Sequence, residues 1–515
     1  MVLKQEVIHP ESEEKSSSSC PPSTQVEVDT YDGKLFVDWD SDATVTPLGQ
    51  LPFFIQFLKM GHRFEPWVED CPLSYDSNNA PQKVDVLGSL FLSVLSGHRR
   101  YAHMTALLSD GVNSKLLGMR KVVSDDSARR ALKKIEEESG VRWLQDHLQS
   151  CYEPLLSNPW ILDCDVTIKP LYGNQEGAVV GYNPHKIGRP SHTYHTYIMA
   201  NLRMVLDVEV QAGNQSNSIY SAPGLLGLLE RLPKSCWPRF IRGDCDWGSD
   251  NIMTSLEAIS MPYLFKLKKS KNVKKLVHKH HCLGEWQRFK EGWEAKEDYL
   301  QLDSWGVARR VVIVRRCLPK DKILLLEDSS RQPSLGLVDE PEDINIYEYS
   351  VLVTSLGSEV IALVQHYRDR ADCENVFDEI KNQWGWGGYT TRDLKSCRFA
   401  ARIIALIYNW WSLFVRMANP SGHLEAITSR PLLLTGVGRL TESGRQKTMI
   451  ITSHHAKADD VREIFQRLSH FFSNLKAIAP QLTRREQWCR ILAKVVEKIL
   501  PHGAVGPPQV TACLA

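Results

Sequence analysis

Apolar positions along the chain change their spacing several times, and each change marks an element. From about Pro47 to Gly140 they recur at helical period. Residues 86–92 open an apolar helix that runs into His98, Arg99, Arg100 and Tyr101. Ser124-Asp125-Asp126-Ser127 is a helix start with acids in its first turn, leading into the basic stretch 128–134. A short helix, a turn and a basic helix fit either a helix-turn-helix or a plain helical bundle. Upstream, residues 26–40 alternate as a hairpin turning at Asp32-Gly33. Residues 1–25, with SSSSCPPS, are polar and acidic and predict a disordered tail. From Trp160 the period becomes that of strands, at residues 160–168, 194–202 and 205–210. A helix (222–232), a short strand (239–242), a helix (251–259) and a strand (263–267) follow.

The resulting order, β-β-β-α-β-α-β, is that of an RNase H-like core: three antiparallel strands, then parallel strands alternating with helices. Residues 268–360 read as β-rich, with strands predicted at 309–315, 323–327 and 349–353. A polar helix begins near His366, and 398–417 is a long buried helix. A Gly- and Pro-containing loop (419–445) precedes amphipathic helices at 459–475 and 483–500. The chain therefore predicts an α/β fold whose mixed-sheet core is interrupted by a β-rich insertion, with helical N-terminal and C-terminal regions. Its expected divisions are a tail (1–25), a mostly helical DNA-binding domain (26–150), a catalytic core (151–267 and 361–420), the insertion (268–360) and a C-terminal helical region (421–515).

At 515 residues the chain is too long for one ordinary core. Its 43% hydrophobic and 24% charged content is that of a globular protein. The longest nearly apolar run, 403–415, is too short to span a bilayer, and the N-terminus lacks an apolar targeting core, so cytoplasmic residence is expected. Twelve cysteines without a CxxC pair read as reduced thiols. His278, His280, His281 and Cys282 crowd together too closely for a tetrahedral zinc cage. The net charge of +1 hides segregation: Lys266 to His281 holds seven Lys and no acid. Local patches of that kind neutralise phosphates, although a solvated face is the plainer reading.

Candidate chemistry lies in His366 to Gly388, HYRDRADCENVFDEIKNQWGWGG. On one continuous helix Tyr367, Arg370, Glu374 and Lys381 share an arc of about 60°. A carboxylate beside a guanidinium, an ammonium and a phenol suits a metal ion and a phosphodiester; a salt-bridged surface helix is the bland alternative. The Trp384–Tyr389 segment could stack on an unpaired base or pack a helix end. Further acids stand on the first core strand, where Asp163, Asp165 and Thr167 point to one side and period cannot choose between the aspartates. Asp244, Asp246 and Asp250 follow the short strand 239–242, and strand ends of this kind open into ligand crevices. Asp244 is the first of the three past the strand, Asp246 the runner-up, and Asp250 suits a helix cap.

The spacing Tyr-x2-Arg-x3-Glu-x6-Lys resembles the motif around the third acid of a large group of bacterial insertion-sequence DDE transposases. YNPHKIGRPSH and R-G-D-C-D-W add to the resemblance, which covers roughly residues 155–420. It implies Asp165, two residues before a Thr, as first acid, with Asp163 a supporting neighbour, Asp244 as second acid and Glu374 as third. It implies that these three hold two Mg²⁺ ions, Mn²⁺ substituting, and that Tyr367, Arg370 and Lys381 bind DNA phosphates. The implied activity is cut-and-paste transposition: metal-dependent cleavage of transposon ends and strand transfer into target DNA. The implied partners are double-stranded DNA and a second copy of the chain, and a DNA hairpin is an implied intermediate. A stand-alone metal-dependent nuclease and a non-catalytic DNA-binding descendant are the rival expectations.

Overall fold

A computed structural model describes residues 25–40, 42–283, 285–317, 347–453 and 457–499. The expected tail lies almost wholly outside these residues, as does the strand expected at 323–327. Strands β1 (Val26–Thr30) and β2 (Gly33–Val37) form the hairpin, and they belong to a compact unit of their own. Its turn is Tyr31-Asp32, with Gly33 at φ +110°, a left-handed conformation that glycine adopts without strain.

From residue 45 onward the chain is one compact unit built on a ten-stranded sheet. Three antiparallel strands come from β4 (Leu162–Pro170), β6 (Pro190–Met199) and β7 (Met204–Ala212), with the two-residue β5 (Val179–Val180) on the margin of β6. The short strands β8 (Ile241–Gly243) and β9 (Tyr263–Lys266) add to β4 in parallel. The order β7-β6-β4-β8-β9, three antiparallel strands followed by two parallel ones, is the mixed sheet that the pattern predicts.

The sheet does not stop there. Strands β10 (Gln287–Lys290), β11 (Trp293–Leu300), β12 (Arg309–Cys317) and β13 (Tyr347–Thr354) continue it antiparallel, β13 pairing directly with β9. The insertion is thus an outgrowth of the core sheet. Nor is it β throughout. Its basic head is a helix, α9 (Lys271–Cys282), capped by Ser270, whose hydroxyl accepts from Val273 N. A lysine run reads as loop or strand flank only while its period is ignored: Val273, Leu276 and His280 recur at helical spacing and are buried.

Helices α1 (Leu51–Met60), α2 (Phe64–Glu69), α3 (Lys83–Leu95), α4 (Asn113–Leu116), α5 (Asp125–Lys134) and α6 (Glu137–Tyr152) occupy the N-terminal stretch. Helices α7 (Ser218–Glu230) and α8 (Asp250–Ala258) connect the core strands. After β13 come α10 (Val360–Arg368), α11 (Ala371–Gln383), α12 (Leu394–Ala418), α13 (Ala426–Leu433), α14 (Ala458–Ile478) and α15 (Arg484–Val496).

The boundary expected at residue 150 separates nothing. Trp67 of α2 stacks on Trp143 of α6 and meets the edge of Trp410 in α12, while Phe54 of α1 meets Trp411. These helices share a single hydrophobic core with the sheet. Helix α12 is the spine of that core, buried almost all round. Its buried Asn409 clamps β7: Nδ2 donates to Val205 O (2.7 Å) and Oδ1 accepts from Val205 N (2.9 Å). Backbone groups on that side of β7 would otherwise lack partners. The C-terminal region is also not wholly helical. Strands β14 (Gly438–Ser443) and β15 (Gln446–Ile451) pair, and β14 pairs with β3 (Val45–Thr46). Among the described residues no helix is long and apolar enough to cross a membrane.

Candidate active site

Register sets the first two acids. In the parallel pair β4–β8, Asp163 stands opposite Arg242 and Cys164 opposite Gly243, so the next rung places Asp165 beside Asp244. Alternation along a strand puts Asp163 and Asp165 on one face. There Arg242 grips Asp163 through two parallel bonds, Nε–Oδ1 2.6 Å and Nη2–Oδ2 2.7 Å, both side chains being fully buried. Arg242 Nη1 also donates to the carbonyl of His366 at the end of α10. This buried pair ties β4, β8 and α10 together beneath the acids. Asp163 is a strut, and the carboxylate of β4 that reaches solvent is Asp165.

Asp165 is one-fifth exposed and accepts from Arg370 Nη2 at 2.6 Å and from Val166 N at 2.7 Å. Burial pushes its carboxyl above the ordinary range, Arg370 pulls it back, and the negative charge of Glu374 pushes it up again. Asp244 is raised first by burial and then by Asp165. Tyr367 rises mainly through burial, with Arg370 lowering it and Asp244 and Asp165 raising it further. Three stretches far apart in sequence, carrying Asp165, Asp244 and the pair Tyr367 and Arg370, thus share one electrostatic neighbourhood, and the charge of Glu374 is felt at Asp165.

The polar stretch is two helices instead of one. Tyr367 belongs to α10, Arg370 is the N-cap of α11, and Glu374 and Lys381 lie within α11. Asp369 and Arg370 keep right-handed helical angles, and Arg370 N bonds to Tyr367 O at 3.1 Å, three residues back. The break is therefore a tightened turn. Arg370 is buried and held on Asp165, while Glu374 is exposed. Lys381 is half-buried, its ammonium lowered by burial and raised by Asp378.

Other candidates fall elsewhere. Asp246 pairs with Lys268, the first lysine beyond β9, and its amide donates to Asp244 Oδ1 at 3.0 Å. Asp250 leaves the N-cap of α8 to Ser249 and binds Arg309 at 2.6 Å. His280 binds Asp298 at 2.7 Å and His281 binds the Tyr349 hydroxyl at 2.7 Å. The aromatic segment is closed to a base: Trp384, Trp386 and Tyr389 are buried, bonded to Glu379, Ala401 O and Ser93. Arg242 escaped sequence reasoning, although its position opposite Asp163 follows once the strands are paired. Lys169 escaped too. It lies on the acid-bearing face of β4, bonded to Tyr194 Oη (3.1 Å) and Gly388 O, and burial lowers it to about 8.

Among the described residues no three His, Cys, Asp or Glu side chains converge closely enough to hold a metal ion. The chemistry of Asp165, Asp244 and Glu374 nonetheless fits one: all donors are carboxylate oxygens, the set that hard divalent cations such as Mg²⁺ take. One of those oxygens, Asp165 Oδ2, is held by Arg370.

The model of the family described as Transposase DDE domain group 1 matches residues 78–472. That match covers well over half of the chain, which therefore belongs to this family and is a DNA-cleaving, strand-transferring enzyme. No curated protein matches. Among solved structures, a piggyBac transposase synaptic complex with hairpin DNA is similar at 12% identity and a TM-score of 0.37, covering 90% of this chain and 89% of that one. A likeness so slight carries no argument about the site.

Proposed function

We propose that the chain is the cut-and-paste transposase of a bacterial insertion sequence, cleaving transposon ends and transferring them into target DNA. The observation that carries the reading is the β4–β8 register, which brings Asp165 and Asp244 side by side under Arg370 and Tyr367. Family membership alone would not select those residues.

In this reading Asp165, Asp244 and Glu374 hold divalent metal, Mg²⁺ with Mn²⁺ as substitute, in a two-ion site. Such ions activate a water or a 3′-hydroxyl and stabilise the leaving oxygen of an in-line displacement. The chain's own groups position the DNA. Arg370 offers a planar fork to a phosphate, Tyr367 one hydroxyl, and Lys381 a point charge farther along α11. Asp163 and Arg242 keep the two acid-bearing strands in register. The partners are inverted-repeat ends and target duplex, with a homodimer on DNA, in the cytoplasm and at the nucleoid.

A plasmid carrying inverted repeats from the flanks of the gene, incubated with the full-length protein and Mg²⁺, tests the reading. Excision followed by joining to a second plasmid is the expected outcome. Cleavage without joining would make the chain a nuclease, and binding without cleavage would make it a non-catalytic descendant.

A further inference from the structure

Two Arg–Asp pairs stand on the same face of the sheet, and they are built differently. Arg242 uses both Nε and Nη2 on Asp163, and its remaining nitrogen bonds to His366 O. Arg370 holds Asp165 by Nη2 alone, and its Nε is buried with no hydrogen-bond acceptor among the described residues. The Nε/Nη2 edge is the fork that grips a carboxylate or a phosphate in two parallel bonds. On Arg242 that edge is full; on Arg370 it is half used, in a side chain only 6% exposed. A buried donor left without an acceptor is costly, and such groups mark places where another partner is expected. The Asp165 partner is itself one-fifth exposed, and the exposed Glu374 is near enough for its charge to act on it.

We propose that Arg370 is an exchangeable counter-ion of Asp165: a divalent cation entering the acid cluster takes Asp165 Oδ2 from Arg370, and the released fork closes with both nitrogens on a DNA phosphate. This inference rests on the assignment of Asp165 to metal made above. Arg370 is then a positioning residue whose single bond couples two events, cation entry and phosphate capture. Arg242 has no such role, because both of its pairing nitrogens are engaged and its partner is buried beyond reach of solvent. Arg370 is the N-cap of α11 in the tightened turn, its amide bonded to Tyr367 O and its carbonyl accepting from Cys373 N, so the exchange asks for movement of the side chain alone.

The test is Mn²⁺ binding to the full-length protein without DNA, read by the loss of the free-ion electron paramagnetic resonance signal. Arg370→Gln removes the competitor and is expected to bind Mn²⁺ roughly tenfold more tightly, the weight of one charge-assisted bond. Arg370→Lys, which keeps the charge but loses the fork, is expected to fall between. Circular dichroism melts report whether each variant folds; if Arg370→Gln does not, Arg370→Lys decides alone. Adding an inverted-repeat duplex should tighten Mn²⁺ binding more in the wild type than in either variant, because in them the coupling is gone. Unchanged or weaker Mn²⁺ binding in the folded variants overturns the proposal. The Asp165→Asn variant separates the two readings: if it binds Mn²⁺ like the wild type, the site assignment fails, whatever Arg370 does.

Discussion

Arg242 and Asp163 face each other on neighbouring parallel strands and are joined by two bonds of 2.6 and 2.7 Å where neither touches solvent. Breaking such a pair from one side leaves an uncompensated buried charge, which costs about 3–5 kcal/mol. Arg242→Met and Asp163→Leu should each lose that much stability in urea titrations. The double variant should recover a large part of it, because two apolar side chains leave no orphaned charge. Additive losses would mean that the pair does not act as a unit.

Asp165→Ala, Asp244→Ala and Glu374→Ala should each abolish end cleavage while leaving end binding within a few-fold of wild type. In the proposed function the carboxylates serve the metal, whereas the cations serve the DNA backbone. Gel-shift and cleavage assays on the same duplex separate the two effects. Full Mg²⁺-dependent cleavage by Glu374→Ala would remove that residue from the site.

Helix α9 and the loop before it present Lys269, Lys271, Lys274 and Lys275 to solvent with no carboxylate partner among the described residues, whereas Lys268 and Lys279 are paired with Asp246 and Asp298. Replacing the four unpaired lysines by Gln should weaken binding to all duplexes alike. The salt slope should fall by about 0.9 for each phosphate that the variant no longer neutralises. Anisotropy across a salt series measures it, and an unchanged slope would leave α9 a solvated face.

His195 is buried in β6 between Thr193 and Ser221, and burial lowers its pKa to about 4. The unfolded chain protonates it near pH 6.5, so between 6.5 and 4 the unfolded state binds the extra proton. Its contribution to stability is complete above pH 6.5 and is lost as pH falls through that window. The decline in urea midpoint between pH 7 and pH 5 should become shallower in His195→Gln. An identical decline would show that His195 is not buried neutral.

Much of this was legible in sequence because strand and helix period survive wherever one face is buried. The Ser124 helix start falls where patterning puts it, the core strands fall within a few residues of their expected places, and the hairpin turns one residue early, at Tyr31-Asp32. The choice among acids was less legible. Asp163 and Asp165 have the same period, and what separates them is contributed from far away in sequence: two bonds from Arg242 bury Asp163, while one from Arg370 leaves Asp165 partly exposed. The break between Tyr367 and Glu374 was hidden because Asp369 and Arg370 keep helical angles, so no Gly or Pro announces it. Base stacking by Trp384 and Trp386 was plausible only until α12 and α13 were seen to enclose them, with Trp384 under Arg430. The strands at 438–451 were lost in a Gly-containing segment whose partner, β3, lies at the other end of the chain.

The continuous ladder from β4 through β9 to β13 makes the inserted block a cantilever rooted in the catalytic sheet. Helix α9 leaves the sheet directly after β9, and the link from Lys268 to Asp246 ties its base to the segment that carries Asp244. A nucleic acid engaging both must conform to that spacing. Excising the block would shorten the chain without simplifying it, because β9 would become a bare margin of unpaired amides and carbonyls, open to another molecule's strand.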